Sequence, residues 1–243
     1  MTDVREFDSA KAVLFDTAPR SLVAICGDRL SVGYRRALSR FRYGNAVAKL
    51  DLALSGPVPW KDPVLGRAPT LHLGGSRQEI AAGERAVHRG RHPESPYVLL
   101  SQPSVVDATR APGEAQTLWT YTHVPSGSDV DVSERILGQI ERFAPGFRDT
   151  VLAADFRSAS DMNEWNPNYI GGDIFAGGVT LRQLVQRPVL GTEPWRAPGG
   201  RLYLCSSSTP PGPGVHGLAG WHAARSALKH EFGRLSPDLR ADV

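Results

Sequence analysis

A glycine run near the C-terminal end of this sequence constrains its fold most, because a strand pattern precedes it and a helix pattern follows it. Gly212, Gly214 and Gly217 have the G-x-G-x-x-G spacing, between "RLYLCS" and "LAGWHAARSAL". In dinucleotide-binding folds this spacing places a pyrophosphate at a helix N-terminus. The chain must therefore make a sharp turn between a strand and a helix here.

The surroundings of the run do not fit the ordinary dinucleotide fingerprint. That fingerprint needs a further strand with an acidic residue about 20 positions later, whereas 26 residues follow Gly217 and the helix through Phe232 takes most of them. Pro211 and Pro213 flank Gly212 and have no N–H group to offer. Two interpretations stay open. Either the free amides and the positive helix end face an electron-rich group, or the turn is a tight junction without a ligand.

The helix after the run has a small side and a larger apolar side. We expect the larger side to pack into the core, while the small side allows close approach of another backbone or a flat ring. The small residues are Gly217, Gly220, Ala223 and Ala227, and the larger ones are Leu218, Trp221, Leu228 and Phe232.

The composition is that of a soluble globular protein with one large or two small domains, since 41% of the 243 residues are hydrophobic and 22% are charged. No apolar run is long enough to cross a bilayer, and the N-terminus lacks the pattern of an export signal, so we expect a cytoplasmic protein. Cys26 and Cys205 stand alone, which predicts neither a disulfide framework nor a metal site.

The positive charges are spread along the chain rather than gathered in one block. The net charge is +3, and the densest stretch, "GYRRALSRFR", places Arg35, Arg36, Arg40 and Arg42 in a helix and its exit. A solvated helix face explains these arginines better than a polyanion site. The sequence therefore predicts no nucleic-acid partner.

Hydrophobic periodicity predicts a mixed α and β chain with a largely antiparallel sheet in its middle. Helix caps are predicted at Ser76 with Glu79 and at Asp131 with Glu134. Residues 163–179 are rich in Gly, Asn and Pro and predict a long irregular loop of the kind that often carries function. The predicted strands span 11–18, 45–54, 70–75, 97–101, 116–124, 149–158 and 201–206, and the predicted helices span 21–41, 77–87, 133–143 and 218–232.

The segment "LYLCSSSTPPGPGVHGLAGWHAARSAL" resembles the C-terminal flavin motif of the phytoene desaturase-like (phytoene dehydrogenase-like) FAD-dependent oxidoreductases. Three further segments resemble middle and late parts of the same family in the same order, including its branch of pyridine nucleotide-disulfide oxidoreductase domain proteins. These are "FRYGNAVAKLDLAL", "ERFAPGFRDTVLAADFRS" and "NPNYIGGDIFAGGVTLRQLVQRP". The resemblance thus covers almost the whole chain.

This resemblance implies an α+β (α/β) fold related to the amine oxidases. It consists of a substrate domain of mixed, largely antiparallel sheet with flanking helices, plus the C-terminal strand and helix of a glutathione-reductase-like FAD domain. It implies FAD-domain residues at 1–20, a substrate-binding domain at 21–195 and FAD-domain residues at 196–243. The implied activity is hydride transfer from a lipophilic substrate to FAD, as in desaturation or isomerisation.

The resemblance places a cofactor-binding set against the flavin and identifies no catalytic protein residue. His216 either faces the ring or the substrate, or has an ordinary hydrogen-bonding role in its loop. The set is Thr209, Pro210, Gly212, Gly214, Val215, His216 and Gly217.

One departure from the family concerns the N-terminal βαβ unit with its own glycine fingerprint, which this sequence lacks. The opening "KAVLFDTAPRSLVAI" resembles the point where family members leave the FAD domain. We therefore expect the C-terminal half of a longer flavoprotein, as a truncated gene model, a split gene or a degenerate copy. Expected partners are a lipophilic substrate, a separate N-terminal FAD-binding half or a second copy, and a peripheral membrane contact. The alternative function is a non-catalytic interaction or lipid-binding domain derived from this family.

Other candidate sites have simpler explanations. His88 and His92 have an i, i+4 spacing, but Gly90 and Pro93 argue against a continuing helix and no third metal ligand is near. Asp161, Glu164 and Asp173, within or just before the long loop, suit acid or base chemistry, but caps and turns explain them equally well.

Overall fold

The computed structural model describes residues 3–234, which form two compact units. Of these residues, unit 1 contains 3–44, 167–170 and 174–234, and unit 2 contains 45–166 and 171–173. The cofactor and substrate roles assigned to 1–20, 21–195 and 196–243 stay predictions.

The described residues contain seven strands and seven α-helices. The strands are β1 (Val13–Phe15), β2 (Ala46–Leu54), β3 (Thr70–Leu73), β4 (Val98–Ser101), β5 (Gln116–Val124), β6 (Val151–Arg157) and β7 (Leu202–Leu204). The helices are α1 (Pro19–Cys26), α2 (Val32–Ser39), α3 (Arg77–His88), α4 (Ser133–Phe143), α5 (Ala159–Trp165), α6 (Leu181–Val185) and α7 (Leu218–Phe232). Among residues 3–234, no helix combines the length and the apolar character needed to span a membrane.

Unit 2 is built on a five-stranded antiparallel sheet with the strand order β3-β4-β5-β2-β6. Alternate residues of β5, from Leu118 to Val124, are buried on one face, as the period of a strand requires. Leu50 and Leu52 of β2 lie opposite Thr120 and Leu118, and Ile136 and Ile140 of α4 belong to the same core as these leucines. One face of the sheet is therefore the core face, and the intervening residues of each strand point to the opposite face of the sheet.

Unit 1 contains a parallel pair of short strands, β1 and β7, with Val13 opposite Leu202 and Phe15 opposite Leu204. Phe15, Leu204, Leu22 and Leu38 lie in one buried cluster that joins the pair to α1 and α2. The predicted fold class is confirmed, since the chain combines a mainly antiparallel sheet, a parallel strand pair and flanking helices.

The helix predicted over 21–41 is wrong as a single element. The helix α1 begins at Pro19 and ends at Cys26, and its C-cap Gly27 has a φ of +49°, in the region that glycine tolerates best. A 3-10 turn follows, and α2 begins after Ser31, whose hydroxyl accepts a hydrogen bond from the Tyr34 amide. Two short helices replace one long one because the chain reverses its local conformation at this glycine.

The predicted caps have different outcomes. The Ser76 hydroxyl accepts a hydrogen bond from the Glu79 amide at 3.3 Å and so begins α3, as predicted. The cap predicted at Asp131 is wrong, because Val132 is the N-cap of α4 and Asp131 accepts a hydrogen bond from the Ser133 amide.

Candidate functional site

The turn between β7 and α7 contains all the predicted cofactor-binding residues, and its first half is bonded within the protein. Thr209 is fully buried, and its amide and its Oγ1 both donate to the carbonyl oxygen of Ser206, at 3.0 and 2.8 Å. The Gly212 amide donates to the Thr209 carbonyl at 2.9 Å, and the Trp195 Nε1 donates to the Pro210 carbonyl at 2.9 Å. Thr209, Pro210 and Gly212 thus hold the shape of the turn.

The second half of the turn is exposed and has free backbone donors. The amides of Gly214, Val215, His216 and Gly217 donate no hydrogen bond within residues 3–234, and the Val215 side chain is fully exposed. The His216 Nδ1 accepts a hydrogen bond from the Leu218 amide at 3.0 Å. In the neutral ring the proton is then on Nε2, which is a hydrogen-bond donor.

Local structure explains why glycine is favoured at two positions of the run. A Cβ added to Gly214 would lie 2.7 Å from the His216 Cδ2 atom, so a side chain at this position would displace the imidazole. Gly217 has a φ of +63° as the residue before α7, which disfavours side chains. The glycine spacing is therefore explained by the path of the backbone whether or not a ligand binds.

The turn is anchored by Arg187, which sequence reasoning missed. Its side chain is 1% exposed, its Nε donates to the Ser207 carbonyl at 2.7 Å, and its Nη2 donates to the Phe175 carbonyl at 3.2 Å. The guanidinium also lies over the Phe41 ring, 5.6 Å from the centroid. Burial of a charge is expensive unless its donors are bonded, so this arginine ties the loop around Phe175 to the turn. A single arginine before Pro188 gives no pattern that predicts this role.

The small side of α7 packs closely on another element, as predicted, but the prediction that the larger side packs into the core is wrong. The small residues Ala223 and Ala227 are buried against Tyr203 of β7, whereas Leu218 and Phe232 are 41% and 47% exposed. The large Tyr203 side chain fills the space beside the strand, so only small residues fit on the helix face that packs there. The small side of the helix therefore contacts the protein and is not left for a ring.

The C-terminal end of α7 is fixed to β7 through Glu231. Its carboxylate accepts hydrogen bonds from the Tyr203 hydroxyl at 2.8 Å, the Arg201 amide at 3.1 Å and the Arg196 guanidinium at 3.4 Å. Burial works to raise the pKa of Glu231, but these hydrogen bonds outweigh it and hold the pKa below its usual value. For Tyr203, burial and then the bond to Glu231 raise the pKa to about 12.

Unit 2 has an aromatic strip on the sheet face opposite its core. Trp119 and Tyr121 stack with centroids 6.4 Å apart, and His123 follows 6.3 Å from Tyr121. The His123 Nδ1 lies 3.0 Å from the Glu84 carboxylate. Burial, and then the charge of a neighbouring tyrosine, raise the pKa of Tyr121. The alternation in "TLWTYTHV" contains the signal for this strip, since every second residue is aromatic or histidine.

Asp161 and His92, which the sequence offered as acid–base and metal-ligand candidates, each have a local hydrogen-bond partner. Asp161 forms a capping box with Ser158 at the start of α5, and the hydrogen bonds from Ser158 lower the pKa of the Asp161 carboxyl. The His92 Nε2 lies 2.8 Å from the Ser128 hydroxyl. Within residues 3–234, no group of three or more His, Cys, Asp or Glu side chains is arranged to hold a metal ion.

Sequence comparison finds relatives for a large part of this chain. No family model matches it. The chain is 35% identical over 148 residues to the mouse (Mus musculus) "pyridine nucleotide-disulfide oxidoreductase domain-containing protein 2", and the match covers 56% of this chain and 25% of the relative. The rat (Rattus norvegicus) protein of the same name is 34% identical over the same length. The chain thus matches about a quarter of the length of these curated relatives.

Comparison with solved structures identifies the fold. An oxidoreductase from Methanosarcina mazei matches with a TM-score of 0.54 and 15% identity, over 90% of this chain and 43% of that one. Putrescine oxidase, in a structure with bound putrescine, matches with a TM-score of 0.54 and 14% identity, over 90% of this chain and 42% of that one. The chain therefore shares the fold of the matched parts of these two proteins. Together with the curated relatives, this shared fold confirms the resemblance found in the sequence.

Proposed function

We propose that this chain is part of an FAD-dependent oxidoreductase that acts on a lipophilic substrate, in which the turn between β7 and α7 contacts the flavin. One observation carries the proposal. Four successive backbone amides, from Gly214 to Gly217, have no acceptor within the described residues, at the start of a 15-residue helix. Such amides, together with the positive end of the helix dipole, suit an electron-rich partner.

The residues of the turn fit a flavin by their chemistry. The free amides offer hydrogen bonds to carbonyl, hydroxyl or phosphate oxygens, and the exposed Val215 side chain offers apolar contact to a flat ring. The bound flavin supplies a hydride acceptor, and the chain supplies position and polarity. The Arg187 anchor holds the turn in one conformation before a ligand arrives, which lowers the entropy cost of binding.

The aromatic strip of unit 2 supports a lipophilic substrate. Trp119 and Tyr121 are half-buried and present flat apolar surface, while Asp51 and Lys49 of β2 lie directly opposite them in the sheet. Aromatic side chains that combine apolar area with a polar edge are frequent in small-molecule sites. We propose that the apolar part of the substrate lies on this strip, as a desaturase-like or isomerase-like activity requires.

The proposed partner is a dinucleotide-binding unit that extends the sheet of unit 1. The β1–β7 pair has three residues in each strand, and Leu14 is 42% exposed. Parallel sheets are ordinarily larger and covered on both faces, and two strands alone are marginally stable. Further strands from a separate polypeptide or another part of a longer one would complete this sheet.

A flavin-retention experiment tests the proposal. The chain is purified alone and with a co-expressed dinucleotide-binding half, and absorbance at about 450 nm measures bound flavin. We expect flavin with the co-expressed pair, and lower retention when Val215 is replaced by Asp, because a carboxylate there repels the carbonyl oxygens and phosphates of the cofactor.

The matched control is Val179→Asp, which introduces the same charge at an apolar residue of unit 1 that is 61% exposed. Absence of flavin from both preparations contradicts the proposal and favours the non-catalytic alternative.

A further inference from the structure

Unit 1 contains a cavity of about 790 Å³ with an uncompensated positive lining. Arg40, Arg42 and Arg182 all line it, and its lining includes no Asp or Glu. Within residues 3–234, no salt bridge involves any of these three arginines. The volume lies in the range of small-molecule sites. Three guanidinium groups without counter-charges favour an anionic ligand.

The walls of the cavity are preformed, because Gln183 of α6 bonds to the backbone at Arg42 in both directions. Its Oε1 accepts from the Arg42 amide at 2.9 Å, and its Nε2 donates to the Arg42 carbonyl at 2.8 Å. The Gly178 amide also donates to the Arg42 carbonyl, at 2.9 Å. Gln183 is 8% exposed, so this pair of hydrogen bonds is protected from water. The segments that carry Arg42 and Arg182 are thereby held side by side.

Apolar residues also line the cavity, beside the three exposed arginines. The lining includes Phe41, which is 7% exposed, together with Pro188 and Ala37. A lining of this kind binds an apolar body by the hydrophobic effect, while the guanidinium groups bind a planar or tetrahedral anion through paired N–H donors. A small inorganic ion would leave the apolar surface unused.

We infer that this cavity binds an organic anion with a carboxylate or phosphate head and an apolar chain. The lining includes no residue of the turn at residues 206–217, and the inference does not depend on a bound flavin. A loss of flavin binding therefore leaves this inference standing, and a loss of anion binding leaves the proposed function standing.

Isothermal titration calorimetry of the full chain tests the inference with octanoate, octyl phosphate and octanol. We expect both anions to bind at least about tenfold more tightly than octanol, because the neutral head makes no charge-assisted bonds. From butanoate to octanoate the affinity should rise roughly fourfold for each methylene that becomes buried. The tighter of the two anions identifies the preferred head group.

Charge variants separate a built site from general attraction to a basic protein. Arg42→Gln and Arg182→Gln should each weaken octanoate binding by about five- to tenfold. Arg234→Gln is the control, since it removes the same charge from an exposed side chain of unit 1 outside the cavity. Equal binding of octanol and octanoate, or equal effects of the cavity and control variants, would overturn the inference.

Discussion

At the scale of single residues, Glu231 links ionisation to stability. Its carboxylate is 15% exposed and accepts hydrogen bonds from Tyr203, Arg201 and Arg196. Glu231→Gln keeps the size but removes the charge, and it should lower the free energy of unfolding at neutral pH by about 1–3 kcal/mol. Urea denaturation followed by circular dichroism measures this difference.

The pH dependence of this difference has a definite sign. Because hydrogen bonds lower the pKa of Glu231 in the folded state, its contribution is complete above its ordinary value of 4.5 and is lost as the pH falls through the lowered pKa. The gap between wild type and Glu231→Gln should therefore narrow below pH 4.5. Glu134→Gln is the control, because that carboxylate is 78% exposed. A gap that stays constant with pH would contradict this role.

At the scale of elements, predictions from the sequence succeeded where a short-range pattern has one solution. The strand predicted over 116–124 coincides with β5, and the Ser76 cap lies directly before a periodic segment. In α7, both sides of the helix are apolar, so periodicity alone could not choose between them. Tyr203 decides the orientation, and it acts through packing rather than through any local pattern.

The orientation of α7 predicts an unusual order of mutational effects. Ala223 has no exposed surface, so Ala223→Leu should overpack the helix against β7 and cost about 1–3 kcal/mol of unfolding free energy. Leu218→Ala should cost less than about 1 kcal/mol, because Leu218 is 41% exposed. Thermal or urea denaturation of both variants measures the two costs. A larger cost for Leu218→Ala would restore the orientation expected from the sequence.

At the scale of the whole molecule, sequence patterns predicted the fold class but not the contacts that build the site. The Arg187 anchor joins carbonyl groups from Phe175 and Ser207, and neither partner is within ten positions of it. Only the pairing register of β2 and β5 shows that Asp51 and Lys49 lie opposite Trp119 and Tyr121 of the aromatic strip. Such juxtapositions depend on long-range pairing, which residue spacing does not encode.

The two units should also differ in local stability. In unit 2, β2 pairs with β5 over nine residues and with β6 on its other edge, above a core that includes Ile136. In unit 1, β1 and β7 pair over three residues. Since local opening is easiest where few buried contacts hold the backbone, the amides of β1 and β7 should exchange with deuterium roughly a hundredfold faster than those of β2 and β5. Hydrogen exchange read by mass spectrometry on the chain alone measures these rates. Addition of the proposed dinucleotide-binding half should slow exchange in β1 and β7 and leave β2 unchanged, whereas equal protection of both sheets before addition would show that the short pair needs no further strands.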